Sequence, residues 1–199
     1  MRFCLFFDRC LIPFAGFRLF RAGRSYAMGT EDEIVTIVDE YNNVVGALPR
    51  KEMRANRLLH RATYVIVFNP REELYVQKRT PTKDVFPGYY DVAAGGVVLE
   101  GETYEQGAMR ELSEELGICG VSLRRLFDFH YEDQYIRVWG AAFSCVYDDE
   151  MVLQKDEVES GAFLNIEEVL RLTESDSFTP DGLYVLRRYL NDRGKEHHY

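Results

Sequence analysis

The stretch Gly96–Ile118, GVVLEGETYEQGAMRELSEELGI, decides how the rest of this 199-residue chain is read. Thr103 followed by Gln106 is a capping box: the Thr hydroxyl takes an orphan N–H of the first turn, and Gln106 reaches back to the cap. Ala108, Leu112 and Leu116 recur at i, i+4 and i+8, the apolar seam of a helix lying on a sheet. Gly117 suits the left-handed position that ends a helix. Local chemistry therefore predicts a helix over about 104–116. Glu111, Glu114 and Glu115 share an arc of about 100° on it. Like charges so placed repel by roughly a few tenths of a kcal/mol per pair on a solvated surface, so the face calls for a counter-charge. Hard divalent cations such as Mg²⁺ or Mn²⁺ prefer such oxygen ligands.

Gly96, Glu102, Arg110, Glu111, Glu114, Glu115 and Gly117 fall in the pattern G-x5-E-x7-R-E-U-x-E-E-x-G-U, where U is a bulky aliphatic residue. The stretch resembles the Nudix box, the signature of hydrolases that cut diphosphate linkages with divalent metals. That resemblance implies Mg²⁺ (or Mn²⁺) held by Glu111, Glu114, Glu115 and the Gly95 carbonyl. Gly95-Gly96 carry no side chains, so the backbone can come close to a metal or a phosphate. Arg110 can pair with Glu102 and Glu111, serving catalysis by holding a carboxylate in place rather than by touching substrate. Two residues qualify as general base. Glu111 occupies a position that takes the proton in some relatives. Glu157 occupies the loop where other relatives keep a base or a further ligand. Glu111 is preferred.

Composition and charge bound the rest. Hydrophobic content of 46% and charged content of 29% are those of a globular protein, and the length suits one domain. A net charge of −9 argues against a general nucleic-acid or anionic-membrane binder. No apolar run approaches the ~18 residues of a membrane span. The four cysteines show neither C-x-x-C pairing nor zinc-like clustering.

Residues 1–27 stand apart, with five arginines against Asp8 and six phenylalanines before residue 21. Upstream translated sequence ahead of a start at Met28 is the favoured reading, an organellar transit peptide the second and a membrane-associating tail the third. The expected single domain therefore covers 28–199, cytoplasmic unless the extension is a transit peptide.

Within it, 34–39 and 44–48 flank Asn42-Asn43 as a hairpin, 51–59 reads as a short helix, and 64–68 and 74–79 read as strands. Segments 122–131 and 135–146 form a long antiparallel pair. Asn165 with Glu168 caps one short helix, and Thr179-Pro180-Asp181 opens the last, with Leu183, Leu186 and Leu190 inward. The expected fold class is α/β, a Nudix-type α/β/α sandwich around a mixed sheet.

Outside the box, Leu59–Tyr64, Phe86–Asp91 and Arg137–Gly140 resemble the YfcD-type bacterial branch, relatives of isopentenyl-diphosphate isomerase. The isomerase is therefore the rival. Its catalytic Cys and a metal-binding His match onto Gly95 and Val97 here, which removes its acid and most of its metal site. His60 reads as a packed strand-edge His before a ligand. Arg79 is a candidate for substrate phosphates, with Lys78 beside it, and Trp139 a candidate for stacking on a base. The expected activity is Mg²⁺-dependent hydrolysis of a small-molecule diphosphate, a nucleoside diphosphate or derivative. A non-catalytic nucleotide-binding sensor is the alternative from another class, and a homodimer stays open.

Overall fold

The computed structural model describes residues 30–196; the 1–27 extension and the 197–199 tail lie outside them. A hairpin of β1 (Ile34–Val38) and β2 (Val44–Pro49) opens the fold, its turn held by Asp39, which accepts N–H bonds from Tyr41 and Asn43. Next, α1 (Arg50–Ala55) is shorter than the 51–59 expected. Arg57 takes a φ of 50°, which breaks the helix and turns the chain into β3 (His60–Phe68). That strand begins four residues earlier than its apolar run suggested, because it runs parallel to β7 (Arg137–Val146) from His60↔Val138 to Phe68↔Val146.

Between them come β4 (Leu74–Arg79), the two-residue β5 (Tyr90–Asp91), α2 (Tyr104–Leu116) and β6 (Arg124–Glu132), which pairs antiparallel with β7. Then β8 (Val158–Leu164) lies antiparallel to β4, and α3 (Ile166–Ser175) and α4 (Pro180–Glu196) close the fold. β8 carries little strand signal of its own. Its Gly161 lies under the Tyr75 ring, and an added Cβ there would run into that ring.

Alternation along β3 builds the layers. Ala62, Tyr64, Ile66 and Phe68 face one core with Val169, Val185 and Leu186 of α3 and α4. Val65 and Val67 face the other, with Ala108, Leu112 and Leu116 of α2. Helices thus cover both faces of a mixed eight-stranded sheet, the α/β/α sandwich expected. No helix among the described residues is long and apolar enough to cross a membrane.

Candidate active site

The cap chemistry of α2 forms as its sequence dictates. Thr103 and Gln106 exchange both capping-box bonds, and Gly117 ends the helix at φ 67°. With its apolar seam fully buried on the sheet, the acidic face turns toward the Gly95-Gly96 loop. Gly95 adopts φ 153° and passes so close to β3 that an added Cβ would run into the Thr63 carbonyl. A Cβ on Gly96 would stand 2.6 Å from Glu111 Oε1. Both glycines are therefore required by close approach.

Burial divides the three carboxylates. Glu111 and Glu115 are buried, whereas the Glu114 side chain is half exposed. Arg110 spends all five N–H donors on its surroundings. Nε and one Nη hold Glu102 at 2.9 and 3.2 Å, and that Nη also reaches the Val97 carbonyl at 3.0 Å. The other Nη donates to Glu111 at 2.7 Å and Glu114 at 3.1 Å. Burial works against its charge, but Glu102 and Glu111 outweigh it and keep Arg110 protonated. No donor remains for a substrate, and the guanidinium holds the carboxylates instead.

Glu115 is different. It forms no salt bridge among the described residues and meets only the Gly95 N–H at 3.3 Å and the Gln77 amide at 3.4 Å. Burial first, then repulsion by Glu111, pushes it up to about 7. Burial likewise raises Glu111 against the pull of Arg110. Beside them the buried Gln77 Oε1 has no hydrogen-bond partner.

As they stand, no three acidic, His or Cys side chains among the described residues converge closely enough to enclose an ion. The reason lies in the bonds already made: Arg110 draws Glu111 and Glu114 together while Glu115 turns to Gly95. The donor chemistry nevertheless fits a hard cation. All donors are oxygens, one buried carboxylate has no counter-ion, and a buried amide oxygen is unsatisfied.

The Gly95-Gly96 loop borders a cleft of about 850 Å³. In a chain of net charge −9, its walls carry Arg50, Arg54, Arg57, Arg79, Lys83 and Arg137. The Nε atoms of Arg50, Arg57 and Arg79 are buried without an acceptor. Lys83 is paired with Glu157 and lowered to about 8 by burial and by Arg79, while Glu115 and Glu111 pull the other way. The cleft thus brings Arg79, Gly95 and, through Lys83, Glu157 to the box. Lys78 turns away and pairs with Glu159.

Trp139 is not brought there. It stands on the α2 side of β7, its ring 5.5 Å from His130 and its carbonyl bonded by the Tyr104 hydroxyl, and it lines no part of the cleft. Strand alternation places Val138, not Trp139, on the cleft wall. His60 lines the cleft but is buried, tied through Nδ1 to the Leu58 carbonyl at 2.9 Å and lowered to about 4 by burial.

Besides Gln77, two features escaped the sequence reading. Lys83 follows Thr80-Pro81-Thr82 in an ordinary-looking turn, and only its placement beside Arg79 and Glu157 marks it. Asp91 and Asp181 form the other. Asp181 accepts from the Tyr64 hydroxyl at 2.9 Å, and Asp91 accepts the Ala93 N–H at 3.1 Å and lies 3.9 Å from Arg79. Burial, then Asp181, raises Asp91 to about 6, and burial raises Asp181 too.

The NUDIX domain family model matches residues 58–187. An uncharacterized Nudix hydrolase of Yersinia pestis is 45% identical over 167 residues, 84% of this chain and 90% of that protein. The uncharacterized Nudix hydrolase YfcD of Escherichia coli K12 is 44% identical over 163 residues, 82% of this chain and 89% of that protein. Among solved structures, DR0079 of Deinococcus radiodurans superposes with a TM-score of 0.69 at 27% identity, covering 78% of this chain and 98% of that one.

Proposed function

The chain belongs to the Nudix hydrolases, which act on phosphorus-containing acid anhydrides, and from that footing we propose that it hydrolyses the diphosphate linkage of a nucleoside diphosphate or derivative with Mg²⁺ or Mn²⁺ as cofactor. The observation that carries this reading is a cationic cleft in an acidic protein, bordered by the Gly95-Gly96 loop behind which the buried Glu115 forms no salt bridge among the described residues. Glu111, Glu114, Glu115 and the Gly95 carbonyl would hold the cation, with Gln77 Oε1 within the same cluster. When bound, it supplies a lowered pKa for water and a charge against which the leaving phosphate is stabilised.

The chain's own residues do the rest. Arg79 and Lys83, with Arg50 and Arg54 at the wall, bind phosphate oxygens that replace the acceptors they now lack or borrow. Glu111, held by Arg110, takes the proton from the attacking water. The new P–O bond forms as the bond to the bridging oxygen breaks, and a phosphate leaves. Glu157 is the second candidate base. It is engaged by Lys83, so a phosphate that captures Lys83 sets this carboxylate free.

The isomerase alternative has little support. Gly95 and Val97 stand where it needs Cys and His, and His60 is committed to a carbonyl. Phosphate release from a panel of nucleoside diphosphates and derivatives with Mg²⁺ tests the proposal, with Glu115→Gln as control. Turnover by the unaltered protein and its loss in the variant are expected. Equal turnover by both would overturn the site assignment, and tight binding of one compound without turnover would favour a sensor.

A further inference from the structure

The cleft has a second wall of opposite character. Asp91 ends β5 and Asp181 opens α4, ninety residues apart in sequence, yet both line the cleft with Tyr64 and Thr179 between them. Their meeting is built into the packing. An added Cβ on Gly182 would stand 2.5 Å from Asp91 Oδ1, so only glycine lets the start of α4 close on that carboxyl. The backbone N–H groups of a helix start favour a carboxylate placed there.

The acceptors outnumber the donors here. Asp181 takes the Tyr64 hydroxyl on Oδ2 and faces the backbone N–H groups of Asp181 and Gly182 at the helix start, and Asp91 Oδ1 takes the Ala93 N–H. Arg79, at 3.9 Å from Asp91 Oδ2, is too far for a hydrogen bond. Thr179 is 2% exposed, and its hydroxyl stands beside Asp91 and draws its carboxyl down without completing a hydrogen bond of normal geometry. An ionised carboxylate only accepts, and each has room for about four donors. A second phosphate is repelled from such a wall, and a saturated chain would leave it unsatisfied.

Aromatic side chains lie at the mouth. Phe86 meets Tyr135 and Tyr89 edge-on, with ring centroids 5.4 Å apart in both pairs. All three line the cleft, Tyr135 is 58% exposed, and a φ of 52° at Phe86 fixes the loop that presents its ring. Such rings offer faces to a flat partner.

We propose that Asp91 and Asp181, with the Tyr64 and Thr179 hydroxyls, form the subsite that selects the organic group of the substrate, and that this group is a nucleobase bearing an amino group. The idea rests on the diphosphate-hydrolase reading for its phosphate end only. The base stacks at the aromatic mouth and gives its N–H donors to the carboxylates, while the diphosphate lies toward Lys83 and the Gly95-Gly96 loop.

Two substrate pairs test it, because each differs in a donor: cytidine against uridine diphosphate, and guanosine against inosine diphosphate. The amino-bearing member should win by roughly 10- to 100-fold in kcat/KM, the cost of leaving buried acceptors unpaired. Asp181→Asn puts a donor where the carboxylate accepts, so it should collapse or reverse the preference. Tyr64→Phe keeps the ring and removes only the hydroxyl, and should weaken the preference if the Asn variant does not fold. Ratios near one in the unaltered protein, or ratios unmoved in every folded variant, would overturn the subsite. Calorimetric binding of cytidine and uridine monophosphate separates the two readings. Preference for cytidine monophosphate without turnover of any diphosphate keeps the subsite and sinks the hydrolase. Turnover of all four diphosphates at equal rates does the reverse.

Discussion

Two groups of carboxylates serve one cleft, one lining its wall and the other standing behind its Gly95-Gly96 loop, and they are made in opposite ways. Glu111, Glu114 and Glu115 come from a single turn and a half of α2, and Arg110 from the same helix holds two of them. Asp91 and Asp181 come from a strand end and a helix start, and the cation that reaches toward them, Arg79, stays 3.9 Å from Asp91. The first group is concentrated negative charge with a fixed organiser; the second is a sparsely countered pair whose charge the fold resists. Spacing in sequence reveals the first kind of site, and tertiary packing alone reveals the second.

The largest expected effect separates the groups by activity. Glu115→Gln should cut metal-dependent turnover by about 10³-fold or more, taking loss of a cation site to exceed the ~10²- to 10⁴-fold worth of a single base at its low end. The fold should survive, since a Gln oxygen can still accept the Gly95 N–H; near-normal turnover in steady-state assays would break the contrast. In the same variant, the gain in melting temperature given by Mg²⁺ should vanish.

Next comes Arg110→Ala, which strands Glu102 and Glu111 without their cation. It should destabilise the protein by about 3–5 kcal/mol, the usual cost of breaking a buried ion network from one side. Urea titration reads this directly. A loss below about 1 kcal/mol would show that Arg110 does not organise the box.

A smaller effect distinguishes the pair by pH. Asp91 rises from 3.8 to about 6 in the fold, so the folded state binds the proton more tightly than the unfolded chain. The resulting stabilisation is whole below 3.8 and is lost as pH rises through about 6. Urea stability should therefore fall by on the order of 1–3 kcal/mol between about pH 4 and 7 on this account. Asp181→Asn removes the neighbouring charge and should flatten that part of the profile; an unchanged profile would mean the pair is not coupled.

The smallest effect concerns Trp139. Since it packs beside His130 behind the sheet, Trp139→Phe should alter KM by less than about twofold, whereas a residue stacking on substrate would cost about 1–3 kcal/mol in binding. A large rise in KM would put the aromatic contact on the wrong side of the strand.

These contrasts also say what could be read from residues in order. The helix, its cap, its stop and its acidic face follow from bonds between residues three or four apart, and they form as expected. The two cores follow from strand alternation. Lys83, Gln77, Asp91 and Asp181 carried no local signal. Lys83 acquires its place when the loop after β4 meets the loop before β8, and Asp91 meets Asp181 only because Tyr90 bonds the backbone on either side of Phe178. Trp139 lines no part of the cleft, and a lone Trp near a resemblance motif says nothing of which face its strand presents. Strand β8 carries no legible alternation because its middle residues 159–162 are all exposed.

One feature of the sheet governs how this enzyme comes into being. β3 and β7 lie side by side, but the chain between them spans β4, β5, α2 and β6. The underside of α2 packs on Ala141, Phe143 and Cys145, so the helix can wind early yet has no complete seat until residue 145 has emerged and paired. Long loops must close before such a parallel pair repays them, which slows folding to milliseconds or longer. During synthesis, then, the carboxylates stay in water as an ordinary acidic helix. Their unusual chemistry is switched on by the arrival of a strand that contributes no carboxylate to it.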